Sequence, residues 1–414
     1  MKKISKVIAI IMSLVLVFSL AACGANSNKG NSNLKVGFIF IHDENSTYDK
    51  NFIDAAEAVC QELGVTCLKK TNVPESNKCY EAAADLVDQG CTLIFADSFG
   101  HENFIIQAAK EFTNVQFCHA TGTQAHTANL SNFHNAFASI YEGRYLAGIA
   151  AGMKLNEMIN AGKINADEAK MGYVGAYTYA EVISGYTSFY LGAKSVCPSV
   201  TMEVQFTGSW YDEAQEKEAA NKLISNKCVL ISQHADSMGA PTACETANVP
   251  NISYNGSTLS ACPNSFIVSS KIDWAPYFRY IINSVKNGTA IDTDWSKGYQ
   301  AGSVALTDVN TTVAAAGTKE AIDKAIADIN AGTLKIFDVS TFTVTVDATK
   351  KLNASAKVDA DGHLTSYMAD VDTDDAYTPD TEVVKDGYFH ESEYRSAPYF
   401  DLQIDGITLL NAKF

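Results

Sequence analysis

The sequence predicts an α/β fold of two doubly wound parallel-sheet lobes, followed by a C-terminal appendage. Three observations carry this. Short apolar runs alternate with helical patterns of about 10–15 residues, the signature of βαβ units and a parallel sheet. The alternation runs from about residue 34, pauses at a long helical pattern over 140–158, and restarts at 170. Beyond about 335 it stops, and an Asp-, Thr- and Ser-rich stretch with short strand-like runs takes over.

In the first series, residues 34–41 read as a buried strand and 48–63 as its helix. Strand 65–68 with helix 76–89 follows, then strand 91–96 with helix 102–111, and strand 115–118. In the second, strand 170–175 precedes helix 180–196, and strand 200–206 precedes helix 212–225. Strand 229–233 leads to a short helix and a strand at 252–254. A strand at 266–269 and helices at 274–286 and 319–331 come last. The pattern therefore assigns 34–125 to lobe 1, completed by about 260–298, and 130–255 to lobe 2, completed by about 300–335. Residues 336–414 form the C-terminal extension.

The N-terminus carries an address. Lys2, Lys3 and Lys6 precede an apolar run over 7–20. That run is short for a bilayer span of about 20 residues and suits a signal h-region. It ends in Leu20-Ala21-Ala22-Cys23, which matches a lipobox whose Cys is diacylated after cleavage. Residues 1–22 are then a lipoprotein signal peptide, Cys23 the lipidation site and 24–33 a flexible tether. Two acyl chains anchor stably where one does not. The expected location is the extracytoplasmic face of the cell membrane.

The net charge of −16 becomes −19 once a leader with three lysines is removed. Such a surface argues against nucleic acid or an anionic membrane face as partner. Ten cysteines include Cys23, so an odd nine remain, and no pair has CxxC spacing. Cys60, Cys67, Cys79, Cys91 and Cys118 sit in or beside apolar segments and read as small buried hydrophobes rather than metal ligands.

No P-loop, GxSxG, HExxH or strand-borne GxGxxG is present, so neither enzyme chemistry nor a cofactor is expected. Asp359-Ala-Asp361-Gly362 and the run at 370–375 resemble Ca²⁺ loops, but the second lacks the loop's Gly and Glu. Both read as solvated acidic turns. Glu213 and Glu216 read as surface charges of their helix.

Open parallel sheets bind ligands beyond the carboxyl ends of their strands. Those ends are the segments from His42 to Tyr48, Asp97-Ser98-Phe99-Gly100 and His119-Ala120-Thr121-Gly122 in lobe 1. In lobe 2 they are Ala176-Tyr177-Thr178-Tyr179, Trp210-Tyr211-Asp212, His234-Ala235-Asp236-Ser237 and Tyr254-Asn255-Gly256. Tyr48, Phe99, Tyr177, Trp210 and Tyr211 would converge on one cleft, where flat faces suit a planar ring or a sugar. Asp236 and Asn255 would orient polar edges. His234 and His119 are weaker candidates, because a His at a strand end often satisfies backbone groups.

These segments resemble the basic membrane protein (BMP) family of ABC-importer binding lipoproteins. The resemblance is carried by Lys35-Val-Gly-Phe-Ile, His119-Ala-Thr-Gly122, Tyr141-Glu-Gly-Arg-Tyr-Leu-Ala-Gly148 and Gly172-Tyr-Val-Gly-Ala176 with Glu181-Val182. Gly192-Ala-Lys-Ser-Val196, Trp210-Tyr-Asp212, Gln233-His-Ala-Asp-Ser237 and Ser253-Tyr-Asn255 extend it over nearly the whole mature chain. It implies a type I periplasmic-binding-protein fold, with two lobes hinged by three crossovers. It also implies a monomeric capture protein that delivers a purine nucleoside or nucleobase to an ABC permease. The ligand-binding set it suggests here is Tyr48, Ser98, Phe99, Thr121, Gly122, Tyr177, Glu181, Trp210, His234, Asp236 and Asn255. The chain departs from the nucleoside-binding branch, which has Asp where Thr121 stands and an Asp-x-x-Phe-Asn motif after the first strand. A free base, a sugar or another planar solute therefore stays open, as does a ligand sensor on the same lobes.

Overall fold

A computed structural model describes residues 34–347, 353–371 and 381–411. The leader, Cys23 and the tether lie outside the described residues, as does most of the acidic run at 370–375.

Lobe 1 begins with β1 (Lys35–Ile39), α1 (Thr47–Leu63), β2 (Thr66–Lys70), α2 (Asn77–Asp88) and β3 (Leu93–Ala96). It continues with α3 (Glu102–Glu111), β4 (Gln116–Ala120) and β5 (Phe133–Ala138). Helix α1 shows how the sequence sets these elements. Ser46 accepts from the Asp49 backbone N–H to cap its start, and Gly64 ends it at φ 64°, a left-handed conformation that glycine adopts freely. Phe52, Ala56 and Val59, spaced by four and three, turn one face into the core.

Helix α4 (Ile140–Asn160) carries the chain into lobe 2. There follow β6 (Lys170–Gly175), α5 (Ala180–Val196), β7 (Thr201–Phe206), α6 (Glu213–Ser225) and β8 (Leu230–Gln233). Next come α7 (Gly239–Ala247), β9 (Asn251–Tyr254) and β10 (Phe266–Ile272). The chain returns to lobe 1 for α8 (Ala275–Asn287) and β11 (Asp294–Lys297), then enters lobe 2 again for β12 (Val304–Leu306) and α9 (Thr318–Asn330).

The two sheets share a strand order. The first is β11-β5-β4-β3-β1-β2, parallel throughout. The second runs β12-β10-β9-β8-β6-β7 and ends on β18 (Ile407–Leu409); only β12 is antiparallel. Each therefore has its order reversal beside its first strand, at β1/β3 and at β6/β8. These are the positions at which a doubly wound sheet opens a binding crevice.

The lobe boundaries differ from those read in the sequence. Strand β5, expected with lobe 2, pairs with β4 in lobe 1. Strand β10, expected to complete lobe 1, pairs with β9 in lobe 2. The reason lies at residues 273–274. Trp274 is buried against Phe52 in lobe 1, with ring centroids 4.3 Å apart, so the chain changes lobes just before it. Three such crossovers join the lobes.

Helices α4 and α5 cross with backbone in contact. A Cβ on Gly148 would lie 2.0 Å from the Phe189 carbonyl oxygen, and one on Gly192 2.0 Å from that of Tyr145, so only glycine fits.

The appendage builds small antiparallel sheets from β13 (Ala356–Val358), β14 (Leu364–Ala369) and β15 (Thr381–Glu382), and from β16 (Val384–Lys385) and β17 (Tyr388–Phe389). Its core side chains Phe337, Phe389 and Phe400 merge with the lobe 2 core, and β18 extends the lobe 2 sheet along β7. It also grips lobe 1: the Ser396 N–H and hydroxyl both donate to Asp294 Oδ1, at 2.9 and 2.7 Å.

Candidate functional site

A cavity lies between the lobes, lined by residues of both. Tyr48 on α1 and Phe99 after β3 wall it from lobe 1. Trp210 after β7 and Tyr254 at the end of β9 wall it from lobe 2. Its polar lining comes from Ser98 and Thr121 on one side and Glu181, His234 and Asp236 on the other.

Eight of the sequence-predicted residues thus meet around one space: Tyr48, Ser98, Phe99, Thr121, Glu181, Trp210, His234 and Asp236. Three stand outside its wall. Tyr177 lies behind Trp210, with ring centroids 5.0 Å apart at 66°, and props it edge-on. A Cβ on Gly122 would fall 2.4 Å from both Glu102 Oε1 and Asn135 Oδ1, so this glycine exists to let its loop pack on that cluster. Asn255, at φ 62°, uses its Oδ1 to accept from Asn51 Nδ2 of lobe 1 at 3.1 Å. Tyr211 likewise meets His42 of lobe 1 rather than the cavity. His119 is fully buried and its Nε2 lies 2.6 Å from the Ser98 carbonyl oxygen, which makes it a prop for the Ser98 turn. Ile41 and Tyr254 also line the cavity; Tyr254 stands in a strand-end segment named above, but neither residue belongs to the expected ligand-binding set. Both sit within two residues of a strand end, so the strand-end rule applied to every flanking residue finds them.

The lobes are closed over this space. The Thr47 N–H and hydroxyl both approach the Asp236 carbonyl oxygen, at 3.3 and 3.2 Å. Phe99 stacks across the gap on Tyr179, 5.0 Å away at 29°.

The electrostatics are set by burial. His234 Nε2 lies 3.3 Å from Glu181 Oε1, and its Nδ1 3.4 Å from the Tyr173 hydroxyl. That hydroxyl also accepts from Arg144 of α4, which is wholly buried and lies over the Tyr254 ring at 4.6 Å. A row of groups therefore runs Arg144–Tyr173–His234–Glu181 from the crossover helix to the cavity. Burial holds His234 below its ordinary pKa, with Glu181 opposing, so the imidazole is neutral. Burial pushes the Asp236 carboxyl well above its ordinary range, helped by Asp49, Glu216 and Glu181, which biases it toward its protonated, donating form. The Tyr254 hydroxyl is buried without a hydrogen-bond partner among the described residues. A buried unmet donor costs on the order of 1–3 kcal/mol until something accepts from it.

Further back, Asp97 is buried beside Asp49 and bonds the Ile41 N–H through Oδ1 at 3.1 Å. Burial first, and Asp49 second, raise its carboxyl well above the usual range. Thr121 adopts φ 65°, a strained conformation for a β-branched residue that costs on the order of 1–3 kcal/mol. Glu102 holds it there by accepting from the Thr123 and Gln124 N–H groups at 2.7 and 2.8 Å.

Glu216 corrects the surface reading. It is fully buried and accepts from the N–H of Asp212 at 3.0 Å and of Ser237 at 3.2 Å. It thereby fixes the turn that carries Asp236.

The family described as ABC transporter substrate-binding protein PnrA-like matches residues 39–334. A purine-binding protein of Brucella abortus (strain 2308) is 31% identical over 261 residues, covering 62% of this chain and 70% of that protein. A candidate ABC transporter glucose-binding protein of Haloferax volcanii is 30% identical, over 48% of this chain and 46% of that protein. Among solved structures, an ABC transporter solute-binding protein from Conexibacter woesei DSM 14684 superposes with a TM-score of 0.61 at 19% identity. That superposition covers 73% of this chain and 98% of the other. At that identity the likeness speaks for the fold alone.

Proposed function

This chain belongs to the Bmp family of ABC transporter substrate-binding proteins, and from that premise we propose that it captures a purine base or nucleoside between its lobes. The carrying observation is that aromatic rings from both lobes wall one closed cavity: Tyr48 and Phe99 face Trp210 and Tyr254. Flat faces favour a flat ligand, and a few convergent polar groups fix its orientation.

The edge chemistry fits a heterocycle with both donors and acceptors. Glu181 accepts from a ring N–H. Protonated Asp236 and the unpartnered Tyr254 hydroxyl donate to ring nitrogen or carbonyl oxygen. Closure about the three crossovers excludes water and strengthens each of these bonds. The closed form then docks on its permease, with the protein held at the extracytoplasmic face by a lipid on Cys23. The histidine and carboxylates act as hydrogen-bond partners, and no chemical step is assigned to them.

The name of the Brucella relative, a purine-binding protein, supports this ligand class. The name of the Haloferax relative supports a sugar instead, since the same rings would stack on a pyranose face. Calorimetric titration with adenine, hypoxanthine, guanosine, inosine, glucose and galactose separates the two. Micromolar or tighter binding of at least one purine is expected. Sugar binding with no purine binding would overturn the proposal.

A further inference from the structure

Arg144 lies on α4, the helix that carries the chain from one lobe into the other, and its side chain is wholly buried. Its Nη2 donates to the Tyr173 hydroxyl and, at 3.1 Å, to the Gln233 carbonyl oxygen. Its Nε and Nη1 have no hydrogen-bond partner among the described residues. The rings of Tyr173, Phe189 and Tyr254 surround the guanidinium at 5.2, 5.7 and 4.6 Å. Ring faces offset only part of the cost of drying a charge, and an apolar side chain would fill the same space without that cost. Packing therefore leaves the donor itself unexplained.

We propose that Arg144 is a positioning residue for the ligand site: acting through the Tyr173 hydroxyl, it fixes His234 as the Nε2–H tautomer, which in turn holds Glu181 as an acceptor toward the ligand. This rests on the purine reading above and adds to it two residues that stand behind the cavity wall. The direction of each bond follows from what each group can give. A guanidinium only donates, so the Tyr173 hydroxyl accepts from Arg144 and keeps its own hydrogen to give. Burial pushes the pKa of that hydroxyl up to about 12, with Arg144 opposing, so the hydrogen is present at neutral pH. His234 Nδ1, 3.4 Å away, receives it. Nδ1 is then an acceptor, and the neutral ring carries its hydrogen on Nε2, 3.3 Å from Glu181 Oε1. The opposite tautomer would leave the Tyr173 hydrogen buried without an acceptor and set the Nε2 lone pair against a carboxylate oxygen. Gly185 lets α5 cover this side of the ring closely, since a Cβ there would fall 3.0 Å from Nδ1. With Oε1 held from behind by His234, Glu181 keeps its remaining lone pairs for a ligand N–H.

The test uses the lipid-free full chain with isotope-labelled histidine and nitrogen NMR of the rings, the His234 signals being assigned by their loss in His234→Gln. In the unliganded wild type Nδ1 should appear as the bare nitrogen and Nε2 as the protonated one. Glu181→Gln should keep that pattern, because the hold on Nδ1 comes from the other side of the ring. Adding Tyr173→Phe or Arg144→Gln to it should give a mixture of tautomers. Arg144→Lys, which again can only donate, should restore the single form. Tyr173→Phe keeps the ring and decides the matter if Arg144→Gln fails to fold. In the otherwise wild-type chain, Tyr173→Phe should weaken the binding of adenine, hypoxanthine or inosine about ten-fold in calorimetry. A wild-type spectrum with the hydrogen on Nδ1, its loss from Nε2 in Glu181→Gln alone, or an unchanged single tautomer in the double variants overturns the inference. Purine affinity within about two-fold of wild type in Tyr173→Phe overturns it as well. Wild type that binds none of the three purines overturns the purine reading, while the spectra, which need no ligand, still decide the tautomer.

Discussion

His234 Nε2 sits 3.3 Å from Glu181 Oε1, and both residues line the inter-lobe cavity. Glu181→Gln keeps the shape and removes the charge. Hydrogen bonds to charged groups contribute about 1.5–3 kcal/mol, so ligand affinity should fall by roughly ten- to a hundred-fold. Calorimetry measures it, and the unliganded melting temperature should stay close to that of wild type. An unchanged affinity removes Glu181 from ligand recognition.

Trp210→Ala should weaken ligand binding by about 1–3 kcal/mol, the scale of base–aromatic stacking. Tyr177→Ala should cost less, because Tyr177 reaches the cavity only by propping Trp210 edge-on. Fluorescence titration of the pair reads both effects. Equal losses would mean that Trp210 contributes through packing alone.

Glu216 gives a pH dependence whose sign is fixed. Burial pushes its carboxyl from an ordinary 4.5 up to about 7, against the hydrogen bonds from Ser237. The folded protein therefore holds this proton more tightly than the unfolded chain. The resulting stability is fully present below about pH 4.5 and is lost as pH rises through about 7. Glu216→Gln should abolish this component, which amounts to at most about 3 kcal/mol. Urea denaturation of both proteins at pH 5 and 7.5 is the measurement. Parallel pH profiles would contradict the assignment.

The nine described cysteines are free, and Cys67 is the only one not fully buried. A bond from Cys60 lowers its thiol pKa, while burial pushes Cys118 up to about 12. Ellman's reagent should therefore label one thiol quickly and the rest only on unfolding, with Cys67→Ser removing the fast phase. Reductant should leave the melting temperature unchanged.

Replacement of Cys23 by Ser should move the protein from the membrane fraction to the soluble one. Continued sedimentation with membranes would contradict the lipobox reading.

Much of this arrangement was legible because burial leaves a periodic trace. The continuous apolar runs of β1, β3 and β6 and the strand-end rule led to seven residues on one cavity wall, and the family resemblance added Glu181. What escaped did so for physical reasons. Strand β5 carries His134 and Asn135, which look like loop residues until their partners are seen. His134 Nε2 meets Gln116 Oε1 at 2.8 Å, and Asn135 Nδ2 donates to Glu102 at 3.0 Å. Glu216 was read by its charge, although it shares a helix face with Ala219, Ala220 and Leu223, all buried. The spacing pointed inward and the residue type outward, and the spacing prevailed because Asp212 and Ser237 supply two N–H donors. The fold of the appendage depends on pairing with β7, a long-range event that no local pattern announces.

The grip of Ser396 on Asp294 bears on residence time. The appendage is fixed to one lobe through β18 and to the other through this pair of bonds, so it spans both halves. A motion of the halves that parts Ser396 from Asp294 would carry the loss of both bonds in its barrier, for ligand escape as well as for entry.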